Sequence, residues 1–403
     1  PETCTTGQDA CPIAGTGLGG RGFVALPDIV QEWREPTGRI IVDWKPELGF
    51  TDETMVYGSI SHGYKGGGAN PPGIAEPAAR FNRAGRAAAP LTFDPEYVDA
   101  FEVGTKNTLL GGALVLNGTA FLYDYEGYQV SKIVDRSAAN ENFDAKIWGA
   151  ELEWIYSPTR NILFNGTFGA LRTEVADGER SIDLMDRTQG GGAGAYLDAD
   201  GVEHTLGFDQ WMILRPFATE SSNCVIPVDV VEYLFLTDQA AFGGGTGCPS
   251  GGISGPLTVT LPDGRTYNAA QDAPNGGAGF FDELGGNELP NAPHFTASLG
   301  AEYRFTLPGG WDGTARADFY WQDSSYARVH NTEYDRLKAW TNTNFSLWVE
   351  NADWGVTAEV YVKNAFDETP ITDAFLNSDD SGLTTNVFTS DPRLIGASIR
   401  KTF

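Results

Sequence analysis

The chain has 403 residues, enough for two or three ordinary domains or one large β-structure, and its 27 Lys and Arg against 54 Asp and Glu leave a formal charge of −27. That balance argues against nucleic-acid partners, because a phosphate backbone needs a basic surface. It suits a solvated exported protein, or one that approaches anionic lipid headgroups through divalent cations. Mean hydropathy is −0.26, and no apolar run reaches the roughly 18 residues of a transmembrane helix; barrel strands carry only every second residue apolar and escape that test.

From the start, residues 1–37 are rich in Gly, Pro and Thr without any period and read as a loop. A chain opening on Pro1 with no signal segment is expected to be a processed or truncated piece. From Arg39 the pattern changes, with Ile40, Val42 and Trp44 alternating against Ile41, Asp43 and Lys45. Thr54–Tyr64 follows, then a Gly- and Arg-bearing segment with Arg80, Arg83 and Arg86, then Pro95–Asn107 and, after a tight LLGG turn, Ala113–Tyr125. The clearest strands are Lys146–Tyr156, Phe295–Phe305, Gly313–Trp321 and Trp354–Lys363, each apolar at every second position and polar between. Asn161–Thr173 and Ala339–Val349 are weaker versions of the same pattern. The chain ends on Asp391–Phe403, where Ile395, Ala397, Ile399 and Phe403 share one face.

Strands of ten or more residues are long for a soluble sandwich, whose strands cluster near five or six. The connections alternate between short (46–53, 108–111, 157–160, 307–311, 350–353) and long (65–94, 133–142, 174–292, 325–337, 367–390). Short periplasmic turns facing long external loops are the topology of an outer-membrane barrel. Trp148 near one end of an apolar face and Trp154 and Tyr156 near the other match its two aromatic girdles. The expected fold is an all-β, antiparallel transmembrane β-barrel of roughly eleven strands. It divides into an external loop segment (1–37), barrel strands (38–173), a long acidic external loop (174–292) and C-terminal barrel strands (293–403).

Several stretches resemble TonB-dependent outer-membrane receptors. They are Glu35-Pro36-Thr37-Gly38 with the strand that follows, Thr54–Asn70, Pro95-Glu96 followed by Glu102-Val103-Gly104-x-Lys106, and the run from Gly112 to Tyr125. Leu289-Pro290-Asn291-Ala292-Pro293, Val362-Lys363-Asn364-Ala365-Phe366-Asp367 and the terminal Phe403 continue the likeness, which covers most of residues 36–403 outside the long loop. The resemblance implies a 22-stranded barrel filled by an N-terminal plug, importing a scarce nutrient such as a ferric siderophore, vitamin or oligosaccharide with energy delivered through TonB. This chain would be about the C-terminal half of that barrel. Its implied partners are outer-membrane lipid and lipopolysaccharide, the plug and N-terminal half-barrel of the same receptor, the TonB complex through that plug, and a small-molecule ligand. The implied location is the bacterial outer membrane.

Candidate site residues follow from the faces. Glu151 and Glu153 point the same way on one strand, as a glycosidase pair would, but separation alone does not specify that chemistry and the preferred reading is two lumen charges balanced across strands by Arg304, Arg316 or Lys363. No Gly-x-Ser-x-Gly elbow, P-loop or His-Glu-x-x-His occurs, so no enzyme chemistry is expected. Ligand contacts are expected from the lumen residues Glu151, Glu153, Arg304, Arg316, Tyr320 and Tyr361. Arg80, Arg83 and Arg86 would hold a positive loop over the mouth, for an anionic chelate or for lipopolysaccharide phosphates. Between Val175 and Pro290 there are 17 acidic residues against 4 Arg and no Lys, a balance of −13; this loop is expected to gate the ligand or to protect the surface. Within it LTVTLPDGRTY, residues 257–267, reads as a hairpin around Pro-Asp-Gly.

Cysteines come in two close pairs in loop-like sequence, Cys4/Cys11 and Cys224/Cys248, and two disulfides are expected. None forms Cys-x-x-Cys and the four His are scattered, so neither a metal centre nor a cofactor is expected. Asp198-Ala199-Asp200-Gly201 and Asn377-Ser378-Asp379-Asp380 offer oxygens to Ca²⁺ but lack the rest of an EF-hand loop, and read as solvated turns. The competing readings are a secreted soluble β-rich carbohydrate-binding protein or glycoside hydrolase, and an outer-membrane porin or scaffold.

Overall fold

The computed structural model of the chain describes residues 29–70, 92–134, 137–191, 195–197, 202–214, 224–237, 258–377 and 383–402. Among the described residues, eleven strands form one antiparallel sheet in chain order. They are β1 (Gly38–Trp44), β2 (Glu53–Lys65), β3 (Glu96–Leu109), β4 (Leu114–Val134), β5 (Ser137–Thr159), β6 (Ile162–Val175), β7 (Phe295–Leu307), β8 (Trp311–Gln322), β9 (Trp340–Asn351), β10 (Val356–Lys363) and β11 (Leu394–Lys401). β1 and β11 are the two edges, and the sheet does not close on itself among the described residues.

Register converts the period-two sequence into two chemically distinct faces. Phe164, Ala301, Ala317, Phe345, Val362 and Ile395 stand opposite one another across β6 to β11. One residue along, the same strands align Leu163, Glu302, Arg316, Ser346, Tyr361 and Gly396. A slip of one residue in any pair would put carboxylates into the apolar row, so the alternation fixes the register. The apolar face is not covered by any second layer: Ile395 is 72% and Ile399 82% exposed. A soluble sandwich would bury this face against a second sheet; a continuous uncovered apolar face of this extent belongs against lipid. Trp148 and Tyr156 bracket nine residues of β5, the roughly 9–11 that a tilted strand needs to cross a bilayer core.

Short turns join the strands at one end, at residues 45–52, 110–113, 160–161, 308–310 and 352–355. At the other end the connections are long, with one correction to the sequence reading. Residues 133–142 are not a loop, because β4 and β5 continue as a ribbon to Val134 and Ser137. The sequence hides this because β4 carries one extra residue between Tyr125 and Tyr128, which moves its inner face from odd to even positions. Gly127 sits in that bulge with φ +68°, and a Cβ there would lie 2.8 Å from the Pro95 carbonyl oxygen.

The long segment 176–294 is more than a loop. It contains a helix, α1 (Val228–Leu236), the expected hairpin (Thr258–Thr260 with Thr266–Asn268) and its own hydrophobic core. Val230, Val231 and Leu234 of α1 pack with Phe208, Trp211 and Tyr267. Asp229 in the first turn of the helix accepts a 2.5 Å hydrogen bond from Arg265 of the hairpin. A second apolar cluster ties this segment to the sheet: Leu284 and Leu289, with Val329 of the 323–339 connection, pack on Phe143, Val175, Tyr125 and Tyr128. All four of those strand residues lie on the polar face, so the loops fold over that side alone and mark it as the interior.

Candidate functional site

The six lumen residues named from sequence all lie on the interior face, but they form no single site. Arg304 and Arg316 are already engaged. Arg304 Nη2 lies 2.7 Å from Glu302 Oε1, and Arg316 donates to both Asp318 oxygens at 2.6 and 3.0 Å and to Asn165 Oδ1 at 3.2 Å. Glu302 and Asp318 lie two residues away on the same strands, and Arg316 also reaches Glu302 of the neighbouring strand at 3.5 Å. The two arginines therefore do not balance Glu151 and Glu153, which are exposed and make no ion pair among the described residues. Lys363 does not reach them either, its Nζ lying 5.7 Å from the Tyr361 ring centroid. Glu153 shares a register row with Thr167, Ser298 and Tyr320, three strands away from that tyrosine. At roughly 4.8 Å per strand, a ligand would have to be about 14 Å long to touch both.

Tyr320 and Tyr361 have structural surroundings of their own. The Tyr320 hydroxyl donates to Gln322 at 3.0 Å and its ring lies 5.2 Å from that of Trp340. The Tyr361 ring lies flat on Gly396, its partner in the register, where any Cβ would collide with it. Across the sheet a second polar group forms around Glu102, which accepts a 2.6 Å hydrogen bond from the Tyr57 hydroxyl, with Arg39 Nη2 at 3.9 Å.

Arg80, Arg83 and Arg86 lie outside the described residues, as do Cys4, Cys11 and Cys248, and the candidate Ca²⁺ oxygens of Asp198 and Asp200 and of Asp379 and Asp380. Cys224 is disulfide-bonded.

The structure brings together at the mouth a cavity that the sequence reading missed. About 420 Å³ in volume, it is enclosed by the β4–β5 ribbon, residues 181–184, the 323–339 connection and the hairpin of Ile371–Leu376 with Thr385–Thr389. Its wall is held by two ionic knots. Lys132 Nζ lies 2.5 Å from Glu141 Oε1, and the Ser181 hydroxyl joins both, accepting from Lys132 at 3.0 Å and donating to Glu141 at 2.7 Å. Arg328 spans two carboxylates, with Nη1 at 2.6 Å from Asp183 and Nε at 2.5 Å from Asp335. Asp183 is 3% exposed and comes from the long segment, whereas Asp335 caps a turn of the 323–339 connection with Thr332. Burial alone would raise the Asp183 carboxyl, but the hydrogen bonds from Arg328 and the nearby His330 outweigh it and hold the group below its ordinary value. The clamp thereby fastens two connections that are 145 residues apart in sequence.

Residues 15–212 match the family described as TonB dependent receptor-like, beta-barrel. Among solved structures, the ferric yersiniabactin uptake receptor FyuA from Yersinia pestis shares the fold at a TM-score of 0.52 and 14% identity, covering 91% of this chain and 37% of that one. The siderophore receptor PiuA from Acinetobacter baumannii gives a TM-score of 0.47 at 15% identity, over 90% of this chain and 35% of its own. No curated protein sequence matches the chain. The fold is that of a transmembrane β-barrel wall carrying a loop-covered mouth. Residues 15–212, just under half of the chain, thus carry the β-barrel of the TonB-dependent receptors, and the chain spans little more than a third of the length of FyuA. Proteins of this family are outer-membrane receptors and transporters, not enzymes.

Proposed function

We propose that the chain forms part of the wall and mouth of an outer-membrane receptor that takes up a scarce small nutrient by TonB-energised transport. The observation that carries this reading is the pairing of two faces: an uncovered apolar row from Phe164 to Ile395, and a polar row one residue along whose side alone is roofed by loops. Lipid and lipopolysaccharide meet the first face, and a ligand entering through the mouth meets the second. The long connections lie outside the cell and the short turns in the periplasm, with Asp391–Lys401 running inward.

Parity supports a larger barrel. In an antiparallel series of eleven strands, β1 and β11 run the same way, so neither self-closure nor a head-to-tail second copy gives antiparallel pairing at the seam. An odd number of further strands does, and eleven from the same receptor complete the 22 of the resemblance. Those strands, the plug and the TonB complex that acts on it are the proposed partners.

The test is the detergent dependence and gel mobility of the full chain, assembled with the rest of its receptor. The reading expects solubility only in detergent and a mobility that shifts on boiling. A protein that stays soluble without detergent and migrates identically before and after boiling is a soluble β-rich binding protein instead.

A further inference from the structure

We infer that the mouth cavity between the β4–β5 ribbon and the 371–389 hairpin binds an uncharged, largely apolar group of a ligand, aromatic or short acyl, rather than an anionic one. The inference rests on the receptor reading for the role of the mouth, and on the cavity itself for the chemistry.

At about 420 Å³ the space lies within the range of small-molecule sites, which are mostly apolar with few polar groups. Its apolar lining comes from all the elements that enclose it: Tyr128 and Val130 of the ribbon, Leu184 and Pro290 of the long segment, and Phe375 and Leu376 of the hairpin. The ionisable residues that line it are Lys132, Glu141, Arg328 and His330, and each already faces an acidic or basic partner. Lys132 is held by Glu141, Arg328 by Asp183 and Asp335, and His330 Nδ1 lies 3.2 Å from Asp282 Oδ2.

An anion entering this space would have to displace a carboxylate from Lys132 or Arg328 and leave that carboxylate behind, desolvated and without its cation. A cation would face the same exchange with Glu141. A neutral group has no such exchange to make, and gains by removing the remaining surfaces of Phe375, Tyr128 and Val130 from water. The Tyr128 hydroxyl makes no hydrogen bond among the described residues and is available to orient such a ligand.

The experiment uses two probes of equal size and different charge, 4-fluorobenzyl alcohol and 4-fluorobenzoate, followed by ¹⁹F NMR on the receptor containing this chain in detergent. The expected result is a saturable shift for the alcohol and binding of the benzoate that is weaker by roughly tenfold or more, the size of penalty expected when a buried charge competes for paired partners. Ala374→Trp fills the cavity from the hairpin and Leu184→Trp fills it from the long segment. Both abolish the saturable shift, which separates the cavity from partitioning into detergent and guards against a folding defect confined to one segment. Benzoate binding as tight as the alcohol, no saturable binding of either probe, or binding that survives both substitutions overturns the inference. Boil-dependent gel mobility of the same samples reports separately on the barrel, so a barrel that forms without a competent cavity is recognised as such.

Discussion

Leu299 in the sheet and Val225 in the long segment are both aliphatic residues of antiparallel strands, yet Leu299 is 46% exposed and Val225 is fully buried. The sheet makes no core of its own. Its apolar residues point away from the rest of the chain, and their burial has to come from lipid. The loop end does the reverse: two hydrophobic clusters, a helix and a guanidinium clamped between buried carboxylates organise segments that bury their own apolar residues. One chain therefore holds two regions with different solvents. The wall is specified by alternation and hydrogen-bonded register, the mouth by contacts between residues far apart in sequence.

The largest expected effect lies in the mouth. Arg328→Ala leaves Asp183 and Asp335 buried beside each other without their shared cation, and a loss of about 3–5 kcal/mol of local stability follows. Amide hydrogen exchange over residues 176–191 and 323–339 should accelerate strongly, while exchange in β7 and β8 stays slow. Equal acceleration in both regions would erase the distinction between them. Acid should act on the same clamp. Because the Asp183 carboxyl is held below its ordinary value, its contribution is complete above that ordinary value and is lost as pH falls through the depressed one. Loop protection should therefore fall on acidification towards and below pH 3.8, the unperturbed value, while the wall persists.

A smaller effect is expected within the wall. Gly396→Ala forces the Tyr361 ring off the neighbouring strand, at a cost of about 1–3 kcal/mol. This should lower the temperature at which gel mobility shifts and leave the loop exchange unchanged. The smallest is Glu151→Gln with Glu153→Gln. Neither carboxylate is paired among the described residues, so stability should change by less than about 0.5 kcal/mol, as thermal unfolding in detergent will read. A large loss would mean that these residues hold a partner strand or ligand.

How much of this was legible in the sequence follows the same division. Strand positions, faces and the hairpin at Pro-Asp-Gly were readable because period two and turn chemistry are local. The ribbon beyond Tyr125 was not, since a single bulged residue at Glu126-Gly127 inverts the period; a lone Gly inside a strand pattern was the available signal. Helix α1 was missed although Val230, Val231 and Leu234 recur at helical spacing after Pro227. Arg304 and Arg316 do not balance Glu151 and Glu153 because nearer carboxylates take them: Glu302-x-Arg304 and Arg316-x-Asp318 place opposite charges side by side on one face, and Arg316 also reaches Glu302 across the strands at 3.5 Å. The cavity was beyond reach, because Lys132, Ser181, Arg328 and Phe375 share no local pattern and meet only once the loops have folded.

The central claim is that the alternating faces of the sheet meet lipid and lumen. Single nitroxides placed in turn from Thr296 to Ala301 on β7, in receptor reconstituted into bilayers, test it most directly through collisions with oxygen and with a polar nickel complex. The account predicts high oxygen access at 297, 299 and 301 and low access at 296, 298 and 300, with the nickel complex showing no preference for the first set. Uniform access along the strand, or greater access of the nickel complex at 297, 299 and 301, would contradict it.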